Sequence, residues 1–406
     1  MKCTEAIRHA IEVVHSAGGG RIAIPSGVWY TGAIRLESNC ELHLEEGAIL
    51  DFSDDPADYP VVDSSWEGIE CRAHSPLVYA YGCTNLAVTG GGLLKPRMCG
   101  WKKWFGRPEP LVAALGELYH WGATNAVMSA RDVTKIPNSN LRPQLVQFNR
   151  CERVLLDGLK AKESPFWVIH LYHSKDCIVR NLDIYAHGHN NDGVDVEMTQ
   201  DVLIENCRFD QGDDGVCLKA GRNADAWRLA RPTENVVLRN CSFGFANAVL
   251  ALGSELSGGI RNVWVTDCSA EHPWSVVRLK TNRRRGGFVE NVWVDNVKAD
   301  NIDRAIFSYE TRYYYQWSKY PDYELRATKV SNLNLRDISA NCADWIVDAY
   351  ADPKSPPVAL SFKNIRLESF RKGMTNLVNF ADALFENVTV GDAKAIPCVY
   401  LPDFVQ

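Results

Sequence analysis

Two short phrases carry acids in matching places. Asn190-Asn191-Asp192-Gly193 and Gln211-Gly212-Asp213-Asp214-Gly215 each run into an alternating strand, Gly193-Val-Asp-Val-Glu197 and Gly215-Val-Cys-Leu-Lys219. Superposed on their Asp-Gly starts, they put Asp192 beside Asp214 and Asp213 beside Asn191, about 4.8 Å apart if the strands are neighbours in a sheet. Carboxylates at that spacing repel, so at least one should hold its proton more tightly than usual, which is the raw material of acid and base chemistry. A single Asp-Gly is ordinarily a turn. Three acids sharing one row with cations two strands further on are not explained by turns.

The same superposition extends to Val249-Leu-Ala-Leu-Gly253 and Val276-Val-Arg-Leu-Lys280. Alternation then points Val194, Val196, Val216, Leu218, Leu250, Leu252, Val277 and Leu279 inward. Two rows point outward: Asp195, Cys217, Ala251, Arg278, and Glu197, Lys219, Gly253, Lys280. Arg278 and Lys280 bring positive charge to the acids and suit a carboxylate on a substrate. Arg283-Arg284-Arg285 reads as a solvated turn.

Positioning these residues requires a repeat, and the chain has one. Val154-Leu-Leu-Asp-Gly158, Cys177-Ile-Val-Arg-Asn181, Val202-Leu-Ile-Glu-Asn206, Val236-Val-Leu-Arg-Asn240, Val263-Trp-Val-Thr-Asp267 and Val292-Trp-Val-Asp-Asn296 are copies of one phrase, with later copies expected from Leu333, Ile365 and Val388. The smallest spacing is that of Val154 to Cys177, and insertions lengthen the others. Short strands at this period cannot close a core singly and must stack. The fold class expected is all-β: a single-domain parallel β-helix over residues 1–406, with the helix Thr4–Ala17 capping its open end and Gly18-Gly19-Gly20 stopping that helix. The Asn ending each phrase suits a left-handed turn and predicts an Asn ladder. Cys207, Cys241 and Cys268 fall in one column and read as small apolar fillers. Insertions are expected around 95–143, 221–233 and 309–325, with few helices elsewhere.

Composition removes several function classes. With 44 Lys plus Arg against 50 Asp plus Glu, the net charge of -6 gives no general attraction to nucleic acid or anionic lipid. No apolar run is long enough to span a bilayer. Thirteen Cys are too few in so long a chain to staple it by disulfides. His170, His173, His187 and His189 read as satisfied polar side chains, with His189 close enough to Asp192 to touch a ligand. No metal and no cofactor is called for.

Asn190-Asn191-Asp192-Gly193, Gln211-Gly212-Asp213-Asp214-Gly215 and Arg278-Leu-Lys280 together resemble the signature of glycoside hydrolase family 28, the polygalacturonase family, whose fold is a right-handed parallel β-helix. Ala17-Gly-Gly-Gly20, Tyr30-Thr-Gly32, Leu42-His-Leu-Glu-Glu-Gly47, Ser164-Pro-Phe-Trp167, Gly253-Ser-Glu255 and Gly286-Gly-Phe-Val-Glu-Asn291 extend the resemblance to its bacterial branch, from Gly18 to about Val297. It implies inverting hydrolysis of α-galacturonosyl linkages, with Asp213 as general acid and Asp192 and Asp214 holding and activating water. Arg278, Lys280, Lys219, Asn247 and His189 are the implied substrate contacts, and the partner is an acidic plant cell-wall polysaccharide or oligosaccharide. Repulsion among the three Asp would supply the retained proton.

Two departures bear on function. Ala246-Asn247-Ala248 stands where the family usually carries Gly-His-Gly, so Asn247 replaces a His thought to tune the acid. This leaves open a rhamnogalacturonan-type hydrolase, a Ca²⁺-dependent pectate-lyase-like enzyme or a silent carbohydrate-binding solenoid. The family pattern also begins one strand earlier, after an exported leader, so a secreted or periplasmic location is expected, with a cytoplasmic one as the alternative. The aromatic residues Trp101, Trp104, Phe105, Trp227 and Tyr313-Tyr-Tyr-Gln-Trp317 are candidates for a wall closing one end of the cleft, which would make attack exo.

Overall fold

The computed structural model describes residues 2–106, 108–139, 141–313, 324–380, 382–391 and 398–401. Its unit is a coil of three short strands. In one coil these are Ile169–Tyr172, Lys175–Arg180 and Asp183–Ala186, and each pairs in parallel with its counterpart in the next, Val194–Glu197, Gln200–Glu205 and Arg208–Gln211. Stacking such coils gives a right-handed parallel β-helix. A continuous apolar core runs through it from Ile7 to Val388. The amphipathic helix Thr4–Ser16 lays Ile7 and Ile11 over the end of that core.

Asn sits where the backbone must turn left-handed. Asn181, Asn206, Asn240, Asp267 and Asn296 all have φ between 50° and 58°, a region that costs most residues about 1–2 kcal/mol. Their amides connect the coils, with Asn240 Nδ2 donating to Asn206 Oδ1 at 2.6 Å. A second ladder, not foreseen, runs Asn235–Asn262–Asn291–Asn332 at the other end of the same strands. The Cys column forms as expected: Cys207, Cys241 and Cys268 are stacked and buried, and the described cysteines are all free thiols.

One expectation needs correction, and two elements were not foreseen. Ile365 and Val388 are not copies in phase with Leu333: that residue pairs with Leu360, whereas Ile365 and Val388 continue the neighbouring column through Ile338. Both columns are apolar and alternate alike, so the pattern alone slips between them. The insertion after Pro96 contains a full helix, Glu109–Thr124, whose apolar residues spread round its circumference and whose start has no side-chain cap. Finally, a β-hairpin, Val61–Trp66 and Ile69–His74, leaves the solenoid altogether. The short helix Asn223–Leu229 occupies the expected 221–233 insertion, and most of the 309–325 insertion lies outside the described residues.

Asn262 tests the ladder, since its amide is bonded on both sides at φ 56°. Asn262→Ala is expected to lower the stability measured by urea unfolding by about 1–2 kcal/mol, and Asn262→Gly by less.

Candidate active site

Backbone hydrogen bonds fix the position of the acids before any side chain is considered. Gly193 N–H donates to the Asp214 carbonyl at 3.0 Å, so the turn carrying Asp192 stacks on the turn carrying Asp213 and Asp214. Glycine is needed at this step: a Cβ on Gly193 would lie 2.6 Å from the Gly215 carbonyl oxygen. The register beyond is the one expected, with Asp195 beside Cys217, Ala251 beside Arg278, Glu197 beside Lys219 and Gly253 beside Lys280. One oxygen of Asp192, one of Asp214 and the Cys217 sulfur lie within 4.8 Å of one another. Asp213 is half-buried, whereas Asp192 and Asp214 are buried.

Their environments divide them. Burial pushes the Asp214 carboxyl up, but Lys280, bonded to it, and Arg278, 3.8 Å away, outweigh burial and hold it below the usual range. Asp192 goes the other way: burial first, then Asp195 and Asp213, raise it well above the usual value against the pull of Lys219. The raised carboxyl expected from repulsion is that of Asp192, with burial as the larger cause. Asp213 Oδ1 accepts from the Asp214 amide at 3.0 Å and from Asn247 Nδ2 at 2.9 Å.

The cations are spoken for by the protein's own acids. Lys280 serves Asp214. Lys219 Nζ lies 3.8 Å from Asp192, 3.4 Å from Asp195 and 3.4 Å from Glu255, over the Trp167 ring. Arg278 stands 4.3 Å from the Trp274 ring and 5.5 Å from that of Tyr313, with its side chain 15% exposed. Lys219 and Lys280, expected as substrate contacts, are thus counter-ions first, and Arg278 is the most accessible of the three. Asn247, half-buried, donates to Asp213. The His189 side chain is exposed and its carbonyl accepts from Arg142 at 2.6 Å.

The outward rows are not open to solvent: Asp195, Glu197, Cys217 and Ala251 are fully buried. The hairpin Val61–His74 is the reason. Its Ser64 hydroxyl bonds Gln147, its Trp66 ring stacks 4.9 Å from Phe166, and Phe166 stacks on Trp167. At the tip, Glu67 accepts from Arg222 at 3.1 Å and from the Tyr119 hydroxyl at 3.2 Å. Gly68, at φ 85°, seats so closely that a Cβ would lie 2.8 Å from Glu255 Cγ. Arg222 in turn bonds Glu255 at 2.7 Å. The remaining cavity, about 30 Å³, is lined by Glu67, Trp167, Asp192, Asp213, Lys219 and Lys280 among others, room for a water molecule or two.

Of the aromatic residues foreseen as a wall, Phe105 lies 4.4 Å from the guanidinium of Arg142, which bonds Asn190 beside Asp192. Trp101 is buried against Tyr59 and Trp104, and Trp227 donates to the Arg285 carbonyl. Tyr313 does line the cavity, and Tyr314 to Trp317 lie outside the described residues. Glu67, Glu255 and Arg222 were missed as site residues because the sequence shows no repeat that registers a hairpin tip against a coil.

Lys280 offers a direct test of the charge balance. Asp214, with its pKa lowered on folding, contributes stability above the unfolded carboxyl pKa that is lost as pH falls through the folded value. Lys280→Ala should therefore cost about 3–5 kcal/mol near neutrality, and denaturation curves should show this loss shrinking in acid.

Comparison with known proteins gives the family. The profile of glycosyl hydrolases family 28 matches residues 124–387. A probable polygalacturonase of Vitis vinifera is 25% identical over 98% of this chain and 77% of its own length. An exo-poly-alpha-D-galacturonosidase of Dickeya chrysanthemi is 28% identical over 64% of this chain and 46% of its own length. The crystal structure of a hyperthermoactive exopolygalacturonase from Thermotoga maritima superposes with a TM-score of 0.92 and 32% identity, covering 99% of this chain and 90% of that one. The chain belongs to glycosyl hydrolases family 28 and is a glycoside hydrolase.

Proposed function

We propose that this enzyme hydrolyses α-linked galacturonan with inversion, removing units from a chain end. The observation that carries the reading is the set of three carboxylates, Asp192, Asp213 and Asp214, stacked at one turn, with Asp192 and Asp213 bordering a small cavity beside Lys219 and Lys280. Asp213 is the general acid: its Oδ1 is held by two donors, and Oδ2 presents the proton to the leaving oxygen. Asp214, kept ionised by Lys280, and Asp192 beside it position a water and take its proton. The small cavity bordered by Asp192 and Asp213 is sized for that water. Asn247 donates to the acid at any pH, because an amide has a single protonation state. Arg278, with Tyr313 beside it, meets the sugar carboxylate.

Exo action follows from the hairpin. A bare solenoid would let a polymer run past the acids along the coils on both sides. Here the outward face of the preceding coils, Gln147 and His170, is covered by the hairpin, and its Glu67 tip is pinned on Arg222. The polymer can approach from one side only. An acidic oligosaccharide substrate fits Arg278, which is more exposed than Lys219 or Lys280.

Two outcomes are expected. Asp213→Asn should lower kcat on galacturonan oligosaccharides by on the order of 10²–10⁴, and unchanged reducing-sugar release would refute its role. Chromatography of early digests should show one short product from the outset, whereas a ladder of intermediate oligomers would contradict end attack.

A further inference from the structure

Asp195 has no part in the mechanism above, yet it is the most awkwardly placed acid in the protein. It is 0% exposed, and neither carboxylate oxygen has a hydrogen-bond partner. Among the described residues, the one cation within ion-pair distance is Lys219, at 3.4 Å. That ammonium also serves Asp192 at 3.8 Å and Glu255 at 3.4 Å.

The other groups around Asp195 are accounted for. His170, beside it in the row, is pushed down by burial and is neutral; its Nδ1 faces Gln147 and its Nε2 donates to Glu197. Glu197, two residues along, also accepts from the Gly221 amide. Cys217, on the other side, is kept a thiol by burial and donates to the Gly253 carbonyl. Asp214 has Lys280 and Arg278. Glu255 has Arg222 at 2.7 Å and Arg285 at 3.6 Å. Glu197 is thus held by neutral donors alone, Asp213 faces Asp192 as a further acid, and the two buried carboxylates Asp192 and Asp195 share one ammonium. Ionising both would bury an uncompensated charge, which proteins avoid by retaining a proton.

We propose that Asp192 and Asp195 keep one proton between them over Lys219, and that Asp195 is the positioning residue that takes it when Asp192 serves as base. The inference rests on the reading of Asp192 given under the proposed function. Burial is the largest cause raising both carboxyls well above the usual value, joined by Asp195 and Asp213 at Asp192 and by Glu197 and Asp214 at Asp195. Asp195 touches no substrate; it acts through Lys219 and Asp192.

The test is the pH dependence of stability, which needs no substrate. A pair that binds a proton more tightly folded than unfolded makes the wild type lose stability as pH rises above the unfolded carboxyl value. Asn cannot titrate, so the melting temperature of Asp195→Asn should gain on the wild type by about 5 °C between about pH 4 and neutrality. Asp192→Asn should show the same gain, and the double variant no more than either single one. A relative loss for Asp195→Asn with rising pH would mean an ionised Asp195 paired to Lys219 and overturn the proposal. Additive gains would overturn it too, as would failure of Asp195→Asn to fold, since the amide mimics the protonated acid. The wild type should also show the infrared band of a protonated carboxyl at neutral pH, and its absence would count against the pair. Should Asp192→Asn retain turnover, the assignment of the base fails while these melting curves stand.

Discussion

The parallel register between successive coils is the constraint on which the rest of the structure depends. It is set by backbone hydrogen bonds such as Gly193 N–H to the Asp214 carbonyl, and it makes every side chain the neighbour of its counterpart one coil away. Apolar columns then build the core, and Asn and Cys columns close the turns. The same rule forces Asp192 against Asp214 and Glu197 against Lys219. Coulomb repulsion between stacked acids is an unavoidable product of this fold, and the protein manages it with buried cations rather than by separating the charges.

Each cation is given a distinct task by its coil. Lys280 and Arg278 come from two coils beyond Asp214 and hold it ionised. Lys219, one coil beyond Asp195, is divided among three carboxylates. Asp192 and Asp214, chemically identical and in one row, therefore differ in proton affinity, which is the requirement for acid and base work at one pH. The hairpin contributes by excluding water, since the Coulomb terms that separate the acids strengthen as the local dielectric falls.

Much of this was legible in the sequence because a solenoid converts periodicity directly into contact. The pairing of Gly193–Glu197 with Gly215–Lys219, and of both with Gly253 and Lys280, follows from alternation and the repeated Asp-Gly. What the repeat does not govern was hidden. The tip of the hairpin Val61–His74 meets Arg222 and Glu255 across more than 150 residues, and no local pattern announces that contact. Burial of Asp195 was hidden for the same reason: alternation says it points away from the core, and only the hairpin and Trp167 decide that the outside is also dry. The phase error at Ile365 shows the converse limit, where two adjacent apolar columns look alike to any pattern of period two.

The central claim is that Asp213 donates a proton while Asp192 and Asp214 deliver water from the opposite face of the sugar. Time-resolved proton NMR of the first product released from a galacturonan oligosaccharide reads this directly. The account predicts the β-anomer first, decaying to the mutarotated mixture; initial release of the α-anomer would contradict it.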